Sequence, residues 1–391
     1  MKSEFALPEA EVTRRWQALQ DAMRQAGFEA LLLTSERNVE YVTGLRTPAW
    51  LIKSRPIAVL IPVQGDPIPV VPNGIAPDVE GLGFFSSVRI YRGFEPEAVS
   101  ELISVIAGEG LERARIGVES GHEQRLGLPL NEYERLGTAL PSADLIDGAD
   151  VIWSARMVKS ELEVERLTRA AHITGEVYDA LFAVMDEEWT ERRVYTEFAA
   201  GCIDRGADAP GYVTMTGGPG HYSMTSSRTY DRRFQPGELF WMDGGCVYGS
   251  YFCDYTRCAA FRPASPLQRD VYKRLYEVFG HTLDAVRAGA PASAVFAAAT
   301  KAAAASDLEL VIPTRVGHGV GLDITEPPSL ATGETIDLQG RMVLAVEVGV
   351  MTDEGWFHME DNVVVREGGH DFISYRPAAE LPVLPRRGVD G

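Results

Sequence analysis

Apolar and polar positions recur along the chain with two different periods, and the change of period divides it. Across residues 10–27, Val12, Trp16, Leu19 and Met23 recur at steps of three and four, which predicts an amphipathic helix ended by Gly27. Two short apolar runs of strand length follow, Ala30-Leu31-Leu32-Leu33 and residues 57–61, the second stopped by Pro62. Residues 87–91 and 115–119 read as further strands, with residues 95–106 helical between them. Such alternation predicts an α/β domain, a sheet flanked by helices.

A boundary falls at residues 153–159, and a new pattern opens at Ser160. Ser160-Glu161-Leu162-Glu163 has the form of a capping box. Behind it Leu167, Ala170, Ile173, Val177, Leu181 and Val184 mark one face of a long helix. Further helices are predicted over residues 190–205, 266–287 and 292–305. Strands are predicted over 239–242, 246–251, 257–261, 342–348 and 362–366. Hairpins mixed with long helices make this half α+β. The expected organisation is an amino-terminal domain over 1–155, a second domain over 156–378 and a tail over 379–391. Pro382, Pro385, Gly388 and Gly391 place the tail on the surface.

The chain has 391 residues, 45% apolar and 24% charged. That length allows two or three domains with real cores, and the composition excludes a disordered, collagen-like or coiled-coil chain. No apolar stretch is long enough to span a bilayer. Glu4, Pro8, Glu9 and Glu11 interrupt the start where a signal peptide needs an apolar run, so a cytoplasmic protein is expected. Fifty-six acidic residues against 37 basic give a net charge of −19, which disfavours nucleic-acid and anionic-membrane partners. Cys202, Cys246, Cys253 and Cys258 form no CxxC pair and read as free thiols.

Common catalytic signatures are absent: no HExxH, no GxSxG, no GxxxxGK[ST]. What stands out is carboxylates where carboxylates are costly. Asp243 ends the run Leu239-Phe240-Trp241-Met242, and Asp254 follows the aromatic segment 248–252. A hairpin turning near Gly249 brings the two together. Two like charges then need a cation between them or a retained proton; the plainer alternative is that one aspartate caps a turn and the other pairs with Arg257. His318 lies between glycines in Gly317-His318-Gly319-Val320-Gly321, which lets backbone approach a small site closely. Glu347 sits inside the apolar run 342–350 and needs a partner. Glu360 lies in His358-Met359-Glu360-Asp361-Asn362, the segment immediately before the strand Val363-Val364-Val365. Four carboxylates and one imidazole form a hard, oxygen-rich set, suited to a pair of divalent ions such as Mn, Fe, Co or Zn rather than to a structural zinc.

The segments MDGG…CDYTR, GHGVGLDITEPP, LAVEVG and HMEDNVVV, in this order, resemble the creatinase/prolidase/methionine-aminopeptidase superfamily, the "pita-bread" metallopeptidases. The resemblance runs from Arg156-Met157-Val158-Lys159-Ser160 to Glu367. It also reaches the segment SERNVEYVTG at residues 35–44, which looks like the amino-terminal domain of the prolidase and creatinase branch. It implies an α+β pita-bread catalytic domain behind an α/β creatinase/prolidase amino-terminal domain. It implies two divalent metal ions, with Mn first and Co, Fe or Zn as alternatives. Asp243 would hold one ion, Asp254 and Glu360 would bridge, and His318 and Glu347 would hold the other. Glu347 would also move a proton, as general base and then acid. His221, in Gly217-Gly218-Pro219-Gly220-His221-Tyr222, matches the substrate-side histidine. A homodimer is implied, with Trp50 a candidate contact.

Three positions depart from the prolidase pattern. Thr325 stands where a second histidine is usual, Val348 replaces the proline of Glu-Pro-Gly, and His358 replaces an arginine two residues before the last glutamate. Thr325 and His358 would lie where a substrate is gripped. The leading expectation is a dinuclear metallohydrolase cleaving an amide bond in an Xaa-Pro dipeptide or short peptide. The alternative is a non-peptidase member acting on a small metabolite, as the creatine, ectoine or dimethylsulfoniopropionate enzymes do. A metal-free peptide-binding module is the reading from another class.

Overall fold

The structure is a computed structural model that describes residues 5–218, 220–223, 229–311 and 314–384. It separates into two compact units, Met1–Arg156 and Met157–Gly391. Among the described residues, no helix is long and apolar enough to cross a membrane.

The first unit alternates helix and strand. Its elements are α1 (Glu9–Ala26), β1 (Ala30–Leu33), α2 (Glu36–Thr43), β2 (Ala58–Pro62), β3 (Ile68–Pro72), α3 (Ala76–Glu80), β4 (Arg89–Tyr91) and α4 (Glu95–Gly108). There follow β5 (Arg115–Val118), α5 (Leu130–Ala139), β6 (Asp144–Asp147) and α6 (Ala149–Arg156). The six strands form one mixed sheet in the order β4-β3-β2-β1-β5-β6. β1 is buried along its whole length, as its unbroken apolar run requires of a strand covered on both faces. Gly27 ends α1 in a left-handed conformation, φ 71°. The sequence did not point to β3 or β6: Pro67 precedes β3 and Pro69 and Pro72 lie within it, and charges bound β6. Trp50 lies on a 3₁₀ turn, Pro48–Leu51, next to the exposed Leu51 and Ile52.

The second unit opens with α7 (Glu161–Val184) and α8 (Glu191–Asp204). The capping box at the start of α7 is present: Ser160 Oγ accepts from the Glu163 amide, and Glu163 accepts from the Ser160 amide. Strands β7 (Ala209–Gly217), β8 (Leu239–Tyr248), β9 (Tyr251–Phe252) and β10 (Tyr255–Phe261) follow, then α9 (Pro266–Leu283) and α10 (Ala292–Ala305). The chain ends with β11 (Arg315–Gly319), β12 (Glu326–Ala331), β13 (Val343–Thr352), β14 (Gly355–Arg366), β15 (Gly369–Phe372) and β16 (Val383–Leu384). Two five-stranded sheets result. One runs β16-β10-β8-β7, with β9 on β8; the other runs β12-β11-β13-β14-β15. Buried side chains of α9 and α10 pack with those of β13 and β14 into one core, and those of α7 and α8 with β8 and β10 into another. This is the expected α+β architecture.

Several expectations are corrected. The strand read at 239–242 continues through Gly244, at φ 125°, to Tyr248 as one strand, β8, and the remainder of the strand read at 246–251 is the turn at 249–250 and the start of β9. The predicted helix 266–287 stops at Leu283. β13 and β14 are longer than predicted, so His358 and Glu360 lie inside β14 rather than before it. Polar residues that face a site break the apolar pattern by which a strand is read. The tail does not lie wholly on the surface: Leu381 and Leu384 are buried, and β16 pairs in parallel with β10. Pro385, Gly388 and Gly391 lie outside the described residues.

Candidate metal centre

The hairpin β8–β9 turns at Gly249 and Ser250, both at positive φ (55° and 74°). This turn sends the chain back so that Asp254 enters β10 beside β8, with Thr256 opposite Asp243. The two aspartates are therefore brought into one neighbourhood. Neither pairs with Arg257. That guanidinium reaches Asp361 Oδ1 at 2.7 Å and the Glu360 carbonyl at 2.9 Å, and so fixes the backbone of β14.

The other sheet contributes three side chains. Glu347 of β13 lies directly opposite Glu360 of β14. His318 of β11 pairs with Ala345, so it shares a face with Glu347 two residues on. Gly317 makes this possible: at φ 139° a Cβ there would lie 2.1 Å from the Ala345 carbonyl oxygen. Asn362 clamps Asp254, accepting from its amide at 3.0 Å and donating to its carbonyl at 2.6 Å.

These side chains converge on one cavity of about 650 Å³, whose walls include Asp243, Asp254, His318, Thr325, Glu347, His358 and Glu360. His318 Nε2 is 3.8 Å from Asp254 Oδ2, and its Nδ1 is 2.9 Å from the Gly319 carbonyl, which holds the Nδ1–H tautomer and leaves the Nε2 lone pair inward. Burial, then the neighbouring Asp243 and Glu347, push the Asp254 carboxyl well above its ordinary range. Burial, then Asp254 and Asp243, do the same to Glu360. For Glu347 burial acts upward, but the hydrogen bond and charge of His358 prevail and hold it below the ordinary value. Burial and Arg315 depress His318. Asp254 Oδ1 is buried and has no hydrogen-bond partner among the described residues. Crowded carboxylates with an orphaned oxygen are stable only with added protons or with cations. The donors, carboxylate oxygens and imidazole nitrogens, suit divalent first-row ions. Two groups have the spacing: Asp243, His358 and Glu360, and Asp254, His318 and Glu360.

His221 is not brought into this wall. It is half-buried on a turn, its amide donating to Gly218 at 3.2 Å, while Ser223 lines the cavity; Pro219 of its motif lies outside the described residues. Thr325 lines the wall. His358 does so too, with Nε2 3.0 Å from Glu347 Oε2, so it stands among the carboxylates rather than out along a substrate groove. Sequence reasoning missed Trp241, Trp356 and Arg315. The two indole N–H groups are buried without partners among the described residues. Strand alternation was the signal: Trp241 lies two residues from Asp243, and Trp356 two from His358. Arg315 has no such signal, because a register shift separates it from His318.

Residues 165–367 match the metallopeptidase family M24, and residues 15–158 match the creatinase/prolidase N-terminal domain. The chain is similar to the probable dipeptidase PepE of Mycobacterium tuberculosis (strain H37Rv), 26% identical over 381 residues, covering 96% of this chain and 98% of that protein. The crystal structure of dipeptidase PepE from Mycobacterium ulcerans superposes with a TM-score of 0.83 at 27% identity, covering 97% of this chain and 99% of that one. A recombinant prolidase from Thermococcus sibiricus gives 0.85 at 22% identity, covering 95% and 99%.

Proposed function

The chain belongs to metallopeptidase family M24, and from that premise we propose that it is a dinuclear metal-dependent dipeptidase that cleaves an Xaa-Pro or similar short peptide. The observation that carries this is the convergence of Asp243, Asp254, His318, Glu347 and Glu360 on one cavity, with Asp254 Oδ1 buried and unpartnered. Asp243 would hold one ion, His318 and Glu347 would hold the other, and Asp254 and Glu360 would serve both. A bound pair of divalent ions supplies Lewis acidity, which acidifies water and polarises an amide carbonyl.

The remaining work falls to the protein. Glu347, held ionised, takes the proton of the attacking water and delivers it to the leaving nitrogen. Arg315 is the guanidinium in the described wall, suited to a terminal carboxylate, and favours a dipeptide over a longer chain. Trp241 and Trp356 line the cavity and offer apolar ring faces to the substrate. The names of the PepE relatives support the dipeptidase reading.

A second reading, a small amidic or zwitterionic metabolite, draws on Thr325. A short neutral side chain stands in the wall where the prolidase pattern has a histidine donor. Steady-state turnover of Gly-Pro, Ala-Pro, creatine and ectoine by the metal-loaded protein decides. Hydrolysis of the dipeptides that disappears in Glu347→Gln supports the proposal; turnover of creatine or ectoine alone overturns it.

A further inference from the structure

His358 is 5% exposed and lies on the face of β14 that carries Glu360, two positions away. Asp243, His358 and Glu360 each offer a ligand atom within 4.8 Å of the others, as do Asp254, His318 and Glu360. The two groups share Glu360, and each contains one histidine.

The hydrogen bonds around the ring decide which nitrogen is free. Thr256 Oγ1 lies 2.9 Å from His358 Nδ1, 2.7 Å from Asp243 Oδ1 and 3.1 Å from Glu360 Oε2. A hydroxyl has one hydrogen, and here a carboxylate takes it. Toward the ring the Thr256 oxygen therefore accepts, and Nδ1 carries the hydrogen. A neutral imidazole then has its lone pair on Nε2, which lies 3.0 Å from Glu347 Oε2. Two lone-pair atoms at that distance need a proton or a cation between or beside them. Without metal a second ring proton meets the need, with His358 donating to Glu347; beside bound ions that imidazolium is opposed by their charge, and an ion on Nε2 takes the place of the proton. His318 has the same arrangement, with Nδ1 on a carbonyl and Nε2 inward. Metal-bound histidines are oriented in this way through their outer nitrogen.

We propose that His358 is itself a metal ligand, through Nε2, to the ion held by Asp243 and Glu360, so that each ion of the pair carries one imidazole. The inference rests on the dinuclear reading above. The arginine of the prolidase pattern is always protonated and has no lone pair to give. A second imidazole moves the donor set from one nitrogen to two, and moves its preference from Mn²⁺ toward Co²⁺ and Zn²⁺.

The test counts metal rather than turnover. Chelator-stripped full-length protein is titrated with Mn²⁺, Co²⁺ and Zn²⁺. Bound metal is measured after equilibrium dialysis, and the Co²⁺ visible absorption is recorded. The parent takes up two ions. His358→Gln keeps an amide donor toward Glu347 but no imidazole lone pair. It should weaken one Co²⁺ site at least about tenfold, change that site's absorption band, and narrow the preference for Co²⁺ over Mn²⁺. The band lost in His318→Gln should be untouched. His358→Ala is read in the same way, so a folding defect in one variant does not hide the result. Two ions bound by the His358 variants with parental affinity and spectrum overturn the inference and leave the dinuclear reading standing. Fewer than two ions in the parent overturn the dinuclear reading, and this inference with it.

Discussion

Lys159→Met is the most informative perturbation of the site's framework. Lys159 Nζ lies 2.8 Å from Glu326 Oε2, and both side chains are almost completely buried, at 2% and 1% exposure. Glu326 Oε1 also accepts from the Asp323 amide, so the pair holds the loop from Gly319 to Glu326 that carries Ile324 and Thr325 into the cavity wall. Removing the lysine leaves a buried carboxylate without its counter-charge, which costs about 3–5 kcal/mol. In a unit of this size each kcal/mol moves the midpoint by roughly 2–4 °C, so unfolding of the second unit should fall by about 6–20 °C. The double variant Lys159→Met with Glu326→Gln removes both charges and should recover most of the loss. The assay is calorimetric unfolding of parent, both single variants and the double variant, with kcat/KM on the same samples. A single variant within about 1 °C of the parent, or a double variant no better than the single, refutes the reasoning.

Three further outcomes are expected. Glu347→Gln should lower turnover about 10²–10⁴-fold in a folded, metal-loaded protein, measured by steady-state hydrolysis of Ala-Pro. Thr325→His should raise kcat/KM on Ala-Pro by up to about 10²–10³, the value of one well-placed donor, measured at matched metal; no gain would mean the substrate does not use that position. The metal-free protein should lose stability as pH rises: Asp254 and Glu360 have folded pKa values above their unfolded ones, so their contribution is full in acid and is lost as pH climbs through the raised values. Thermal midpoints from pH 5.5 to 8 with chelator should fall, and saturating divalent metal should abolish that fall.

The candidate ligands were legible in the sequence because a buried strand has no cheaper use for a carboxylate. Asp243 ends an apolar run, Glu347 interrupts one and Glu360 stands just before one, and His318 lies between glycines that a tight backbone approach requires. The alternation of helix and strand in the first half, and the capping box of α7, were legible for the same local reasons. Partners far apart along the chain were not. Lys159 reads as linker, yet it is buried against Glu326, 167 residues away. Arg257 reads as a partner for an aspartate of the site, but register gives it Asp361. His358 reads as a substitution in a substrate groove, and only the packing of β10 on β14 sets it among Thr256, Asp243 and Glu347.

Asp243, Asp254, His318, Glu347 and Glu360 are proposed to form a two-metal hydrolytic centre. Its most direct test is activity against bound metal: chelator-stripped protein is reloaded in steps, and Ala-Pro hydrolysis is plotted against ions bound per chain. No turnover is expected without metal; two ions are taken up and activity is full when both are bound, with Asp254→Asn and Glu360→Gln inactive at any loading. Turnover that persists in stripped protein, or protein that takes up no divalent ion, would contradict it.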